Sequence, residues 1–356
     1  MKILIIGFAK FKYMPYINYY TDNIDLTENE LHIVYWNRDG GDDILPENSG
    51  IHLYEFKEIQ PDDVKKQKKI LNFLKFRKFT SEIIKKERFD RIIVIQSVTA
   101  VLFYDLLTKK YPGRYIFDYR DVTYESFAPY KKAIAGIVDN SLFTLISSDA
   151  FRRFLPQSEK IHTTHNFTEK ALEHRLAAHK NGSAPIRLRF WGFLRHEDLN
   201  KKIVAALAND SRFELHYHSP EQAAEPPLRE YAAALGAKNI FFHGGYLPDE
   251  RFDFAKETDI LLNMFENDTT VYAVGNKFYD GLIFRLPVIC TAGSFMAELA
   301  EKYGTGLAAD PNSPALADDI YRYYTSLDFD AFSTACDAAL EKITAQAQDA
   351  AKCLKS

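Results

Sequence analysis

The sequence predicts an α/β protein of two domains, each built on a parallel sheet, and three observations carry the prediction. At 356 residues the chain exceeds one ordinary core and fits two. Apolar runs of strand length alternate with helix-length stretches in both halves. Between Asp259 and Gly293 one complete strand–loop–helix–strand unit can be read off. Ile260 to Met264 is an apolar run with no room for a helix, and a loop rich in Asn, Asp and Thr follows it. Asn276 is placed to cap a helix from Lys277 to Arg285, which stops before Pro287, and Val288-Ile289 opens the next strand. The loop of such a unit leaves the carboxyl end of its strand, where open α/β sheets hold ligands.

In the first half, Lys2 to Gly7 (KILIIG) is a buried strand. The turn Gly7-Phe8-Ala9-Lys10 has one glycine where dinucleotide-binding proteins carry three, which argues against a tightly wrapped dinucleotide. An ordinary βα turn fits it as well as a ligand loop does. Leu31 to Trp36 gives a second strand and Ile51 to Phe56 a third with period-two alternation. Residues 65–88 stand apart by charge, with ten Lys or Arg against two Glu. Ile70, Phe73, Leu74, Phe76 and Phe79 are interleaved, and Ile83 and Ile84 continue a helical stripe. A basic amphipathic helix of this kind suits an anionic membrane surface; the stripe equally suits core packing beneath a solvated basic face.

Arg91 to Gln96 is a further strand, followed by a helix through Leu107. Arg114 to Phe117 leads into Asp118-Tyr119-Arg120-Asp121 and then Val122-Thr123-Tyr124-Glu125. Acids directly after a strand lie at its carboxyl edge, so Asp121 is the candidate base or acceptor-orienting group, with Asp118 and Glu125 behind it. Arg120 also fits a structural ion pair with one of them. Ser141 to Ile146 is the last long strand of this half, and Ser147-Ser148 caps a helix from Asp149 to Leu155.

The stretch up to Pro185, with Asn181-Gly182-Ser183, reads as a polar, flexible boundary. Ile186 to Trp191 opens the second half as a strand, followed by Gly192-Phe193-Leu194-Arg195 and a helix from Asp198 to Ala208. Gly192 permits close backbone approach, and the forked donors of Arg195 suit a diphosphate. An exposed arginine with no ligand fits too. Phe213 to His218 is a strand, Leu228 to Leu235 a helix ended by Gly236, and Asn239 to His243 a strand before the turn Gly244-Gly245-Tyr246. His216, His218 and His243 lack supporting carboxylate spacing and read as ordinary polar residues at strand ends, so no metal site is expected. After the central unit, Ser294 caps a helix ended by Gly304, and helices run from Ser313 to Leu327 and from Asp330 to Leu354.

Composition narrows the function. The hydrophobic fraction of 46% with 26% charged residues is that of a soluble globular protein, and 27 Phe and 21 Tyr forecast aromatic cores and pockets. A net charge of −4 argues against a dedicated nucleic-acid binder. Cys290, Cys336 and Cys353 show no metal-ligand spacing, which points to a reduced, cytoplasmic chain. No apolar run approaches the roughly 18 residues of a membrane span, and Lys10 and Lys12 interrupt the N-terminus too early for a signal peptide.

The chemistry concentrates at the start of the helix over 277–285. Lys277 and Asp280 share one face, and a helix N-terminus offers unpaired N–H groups to phosphate. Lys277 adds a full positive charge, while Asp280 can accept two hydrogen bonds from a vicinal diol such as ribose. A solvated Lys–Asp pair fits the same spacing.

The segment N-K-F-Y-D-G-L-I-F-R-L-P-V-I, residues 276–289, resembles the donor-site segment of GT-B-fold glycosyltransferases (family 4-like) that build bacterial capsule, O-antigen and exopolysaccharide. In that group a Lys-x-x-Glu followed by Pro-Val-Ile sets the lysine near the diphosphate and the acid on the ribose of a nucleotide-sugar. Asp280 stands here for the Glu. Many retaining members carry a second Glu eight positions earlier, where this chain has Tyr272; Glu266, further upstream in the loop, is the candidate substitute, and the stereochemical outcome stays open. D-x-R-D at 118–121 resembles a sugar-facing segment of the same group, and IHTTHNF at 161–167 its crossover between domains.

The resemblance implies two Rossmann-like domains facing each other across a cleft. Residues 1–168 form the acceptor side, 185–327 hold the nucleotide-sugar, and a helix over 328–356 packs back on the first domain. Gly192, Arg195, Gly244, Tyr272, Asn276, Lys277 and Asp280 are its donor-binding residues, Gly7 and Lys10 its acceptor-side residues, and Asp121, Asp118 and Glu125 its catalytic candidates. The implied activity is metal-independent, cofactor-free sugar transfer from a UDP- or GDP-sugar to a glycan hydroxyl, lipid-linked at the inner membrane face, with Lys65 to Arg88 touching anionic lipid. A sugar-nucleotide epimerase of the same fold and a non-catalytic partner subunit are the rival expectations.

Overall fold

A computed structural model of the chain describes all residues except 44, 46–49, 62, 63, 168, 179–184, 221–223, 267, 268 and 356. The boundary expected at Asn181-Gly182-Ser183 lies outside the described residues. The chain divides into two compact units, Met1–His165 with Ala345–Ser356, and Asn166–Thr344. No described helix is long and apolar enough to cross a membrane.

In the first unit, β1 (Lys2–Ile6) is followed by α1 (Asn18–Asn23), β2 (Glu30–Asn37), β3 (Ile51–Lys57), α2 (Lys66–Glu87) and β4 (Arg91–Ile95). Then come α3 (Ser97–Leu102), α4 (Tyr104–Lys110), β5 (Tyr115–Tyr119), α5 (Ala128–Asn140), β6 (Phe143–Ile146) and β7 (Ile161–Thr163). The seven strands lie in the order β3-β2-β1-β4-β5-β6-β7, and every pairing is parallel. Ile3 to Ile6 and Ile92 to Ile95 are buried throughout because helices cover both faces, which is why these strands read as continuous apolar runs.

Three sequence expectations change here. The helix expected through Leu107 breaks at Phe103, whose backbone leaves the helical region at φ −105 and ψ 19. Asp118 and Tyr119 belong to β5 rather than following it, because the ladder with β4 runs on to the pair Ile95–Asp118. On α2 the buried residues are Asn72, Phe76, Thr80 and Ile84, a four-residue spacing that gives one narrow face. Phe76 stacks on Trp36, with Phe73 and Phe79 packed around that pair through Trp36 and Phe56. Ile70, Leu71 and Leu74 are the large apolar side chains of α2 left exposed.

The second unit begins with α6 (Glu169–Leu172), β8 (Ile186–Trp191), α7 (Glu197–Leu207), β9 (Phe213–His218), α8 (Glu225–Ala234) and β10 (Ile240–Gly244). It continues with α9 (Arg251–Lys256), β11 (Ile260–Asn263), α10 (Asn276–Ile283), β12 (Val288–Thr291), α11 (Phe295–Tyr303), β13 (Gly306–Ala309), α12 (Leu316–Ser326) and α13 (Phe329–Lys355). Its six strands are parallel in the order β10-β9-β8-β11-β12-β13. Ser294 caps α11 by accepting from the Ala297 N–H, and Gly304 ends it at φ 70. Along α13, Phe332, Cys336, Ala339, Leu340 and Ile343 join this unit's core, whereas Ala350 and Leu354 join that of the first unit.

Each sheet sets its first strand beside its fourth, β1 beside β4 and β8 beside β11. That neighbour pair is the topological switch point, where the loops leaving the two strands diverge and open a place for a ligand.

Candidate functional site

In the second unit, the loop after β8 turns through Gly192 at φ 120, a conformation that L side chains rarely adopt. A Cβ there would meet the Lys277 Nζ at 3.5 Å, an ordinary contact, so it is the backbone conformation rather than space that calls for glycine beside the ammonium. Gly244 closes β10 at a bulge with φ 79 and open space around it.

Lys277 comes from α10, which follows β11. Gly275 occupies the cap position of this helix and no side chain caps it, so the capping role expected of Asn276 is corrected: Asn276 is the exposed first helical residue. The cap residue therefore offers no side-chain acceptor to the N–H groups of that first turn, and the Phe278 N–H bonds the Gly275 carbonyl. Every residue from Lys277 to Ile283 is buried. Lys277 and Asp280 are 9% and 7% exposed, which removes the solvated-pair interpretation.

The Lys277 Nζ lies 4.2 Å from the ring centroid of Phe190 and 5.0 Å from that of Phe265. No hydrogen bond or ion pair reaches it from any described residue. Burial pushes its pKa down to about 8, with Asp280 pulling it up and Arg195 pushing it further down. Asp280 is occupied: its Oδ2 accepts from Trp191 Nε1 at 2.9 Å, and Arg251 Nε lies 3.5 Å from Oδ1. Burial raises the Asp280 pKa against the pull of Arg251, Trp191 and Lys277.

Arg195 is exposed, and its carbonyl accepts from Asn200 Nδ2 at 2.7 Å. Tyr272 is half-buried in the 3-10 turn Thr269–Tyr272. His196, which the sequence did not single out, has left-handed backbone (φ 59) at the N-cap of α7. Its Nδ1 lies 3.2 Å from Glu266 Oε2, and its Nε2 is buried with no hydrogen-bond partner among the described residues. Sequence could not have paired residues 70 positions apart. Trp191 and Arg251, the partners of Asp280, were missed for the same reason.

In the first unit the three acids separate. Asp118 is fully buried, accepting from Tyr20 OH at 2.6 Å and Arg120 Nε at 2.8 Å, and Arg120 lies over the ring of Tyr16. Glu125 is buried and accepts from the Thr123 N–H. Asp121 is the one of the three that is exposed, and its Oδ2 accepts from Gln96 Nε2 at 3.3 Å. Gln96 itself follows β4 with φ 71. On the other strand at this switch point, Gly7 packs on Met14, whose Sδ would lie 2.7 Å from an added Cβ. Lys10 is buried, donating to the Gly41 and Asp42 carbonyls and paired with Asp39, so its ammonium ties the loop after β1 to the loop after β2.

The imidazoles of His216, His243 and His218 stack within 11° of parallel, at 5.3 and 4.3 Å between centroids. His216 Nδ1 lies 3.0 Å from His243 Nε2, so these two imidazoles hydrogen-bond to each other, and burial pushes the His216 pKa to about 4 and that of His218 to about 3. A separate group, Glu30, His32 and His52, gathers ligand-type atoms within 4.8 Å near the amino ends of β2 and β3, and its two imidazoles likewise stack, at 4.5 Å.

No protein-family model and no curated protein matches the chain. Solved structures do. Sucrose-phosphate synthase from Thermosynechococcus elongatus is similar at TM-score 0.72 and 13% identity, over 97% of this chain and 94% of that one. Anabaena HepE in complex with UDP is similar at TM-score 0.71 and 14% identity, over 100% of both chains. The lipopolysaccharide outer core galactosyltransferase WaaB, in its apo form, is similar at TM-score 0.69 and 13% identity, again over 100% of both. Two parallel α/β sheets and full-length likeness to these proteins define a GT-B fold of two Rossmann-like domains.

Proposed function

We propose that the chain is a metal-independent glycosyltransferase that moves a sugar from a UDP- or GDP-sugar to a hydroxyl of a glycan acceptor. The observation that carries this reading is Lys277, an ammonium buried at the uncapped start of a helix and left without a hydrogen-bonding partner among the described residues. Such a group, at the carboxyl edge beside a switch point, calls for an anion of phosphate type. The complex of HepE with UDP supports a nucleotide as its carrier.

Lys277 and Arg195 stabilise the leaving diphosphate as the bond to the anomeric carbon breaks and its electron pair stays on the phosphate oxygen. Asp121, whose carboxylate is exposed, takes the proton of the acceptor hydroxyl as the new glycosidic bond forms. Asp118 and Glu125 hold the strand end and the loop around it.

The acceptor is a surface glycan, lipid-linked and met at the cytoplasmic membrane face. Ile70, Leu71 and Leu74 are exposed among Lys66, Lys68, Lys69 and Lys78, a surface suited to anionic lipid. The test is a thermal-shift screen of UDP-, GDP-, dTDP- and CMP-sugars, followed by transfer assays with the binder. A nucleotide-sugar at about 100 times its Kd should add about 2.7 kcal/mol of stability. Silence across the whole panel would remove the donor site. Turnover of the sugar itself without acceptor would identify an epimerase.

A further inference from the structure

We propose that His196, oriented by Glu266, is a further contact for the donor's diphosphate, giving it a hydrogen bond from Nε2 beside the charge of Lys277. The inference rests on the donor-site reading above and deepens it. β8 and β11 are neighbours at the switch point, and the loops that leave their carboxyl ends carry His196 and Glu266 respectively. Glu266 Oε2 lies 3.2 Å from His196 Nδ1, so the carboxylate accepts the Nδ1 proton and fixes the orientation of the ring. The histidine side chain is 13% exposed, while that of Glu266 is 48% exposed, so the ring is held inward by a solvated acid.

The outer nitrogen of that ring is the informative atom. Nε2 is buried and has no partner among the described residues. Buried polar atoms in native proteins nearly always have one, so an orphan at a ligand-binding edge points to a ligand that supplies it. The ring that flanks the ammonium of Lys277, Phe265, also packs edge-on against His196 at 6.2 Å, so both groups border Phe265. His196 further holds a left-handed backbone, φ 59 and ψ 67, a conformation that costs free energy in residues other than glycine and gathers at functional sites.

A phosphate oxygen accepts and cannot donate, so the contact uses an Nε2–H, with Glu266 holding the ring through Nδ1 on the far side. The ligand class is a diphosphate or pyrophosphate. The contact is a hydrogen bond and involves no proton transfer.

Two amide substitutions separate the ring nitrogens. His196→Asn keeps a donor where Nδ1 stood, can still reach Glu266, and suits left-handed backbone; it has nothing at the Nε2 position. His196→Gln places its amide where Nε2 stood. Binding of UDP, GDP and inorganic pyrophosphate to the full chain is measured by calorimetry, with thermal melting as a check on folding. His196→Asn should lose roughly tenfold in affinity for pyrophosphate and for the nucleotide that binds, the loss expected for a hydrogen bond to a charged group, and His196→Gln should regain most of it. Glu266→Gln, altered at an exposed side chain, should weaken pyrophosphate severalfold with an unchanged melting temperature. Wild-type affinity in His196→Asn overturns the contact, and so does a Gln variant no better than Asn. A wild-type chain that binds none of the three probes brings down the donor-site reading itself, and this inference with it.

Discussion

Replacing Lys277 with methionine should make the protein more stable while disabling it. The ammonium lies over Phe190 and Phe265, and burial, the largest influence, pushes its pKa from the ordinary 10.5 to about 8. At about 1.4 kcal/mol for each pH unit, the fold disfavours the charged form by about 3 kcal/mol. The sign follows from proton counting. Between pH 8 and 10.5 the unfolded chain keeps a proton that the folded chain releases, so stability should rise with pH across that window. Below pH 8 the full penalty is present. Methionine has similar length and no charge, and it packs well against aromatic rings. Urea unfolding at pH 7 should therefore show Lys277→Met more stable by about 2–3 kcal/mol, a difference that shrinks towards pH 10.5. Calorimetry at pH 7 should show nucleotide affinity falling by about ten- to a hundredfold, as the phosphate loses a charge-assisted partner. In the wild type at pH 8.5, binding should take up protons, because phosphate favours the ammonium. A Lys277→Met protein less stable than wild type at pH 7, with nucleotide affinity intact, would refute the idea that this lysine is held in strain for an anion.

Asp280→Asn keeps an acceptor for Trp191 Nε1, so the melting temperature should hold within a few degrees while UDP or GDP affinity falls about tenfold; unchanged affinity would confine Asp280 to holding Trp191 and Arg251. Asp121→Asn should leave nucleotide affinity intact and lower transfer by about 10²–10⁴, and equal activity would make Asp121 a bystander. Wild-type protein should sediment with anionic but not zwitterionic vesicles at low salt, at about 1 kcal/mol per basic residue near the surface. Ile70→Ser and Leu74→Ser combined with Lys68→Glu and Lys69→Glu should abolish that without shifting the melting temperature; wild-type indifference to anionic vesicles would end the membrane reading.

Two strands of the second sheet were legible to the residue: Ile186–Trp191 and Phe213–His218 keep their expected bounds, with the alternating Ile186, Leu188 and Phe190 and Phe213, Leu215 and Tyr217 all buried. β1 and β4, at the middle of the first sheet, each end one residue before the expected Gly7 and Gln96. The end of β5 was not legible, because Asp118 is kept in the strand by its ladder partner Ile95 and by Tyr20 and Arg120 around its carboxylate. Nor was the burial of Lys277 and Asp280. Charged residues belong on surfaces by default, and only the rings and the indole that the fold brings round them make this pair an interior one. On α2 the spacing showed a helix but not which apolar residues it hides: Phe76 is claimed by Trp36, and Ile70 and Leu74 are left to the outside. The His196–Glu266 contact depends on two strands becoming neighbours, which no local pattern encodes.

The membership of α13 bears on how the protein comes into being. Its residues up to Ile343 complete the core of the second unit, and Ala350 and Leu354 complete that of the first. A ribosome delivers the first 165 residues early, and nascent domains ordinarily fold in the order they emerge. Here the early segment must wait with an apolar face unfilled until residues 345–355 have been made, so the unit begun first is finished last. An N-terminal fragment expressed alone would carry that open face, which makes it a natural client for chaperones. Any attempt to study the first unit separately needs the last turns of α13 restored to it, by fusion or by co-expression.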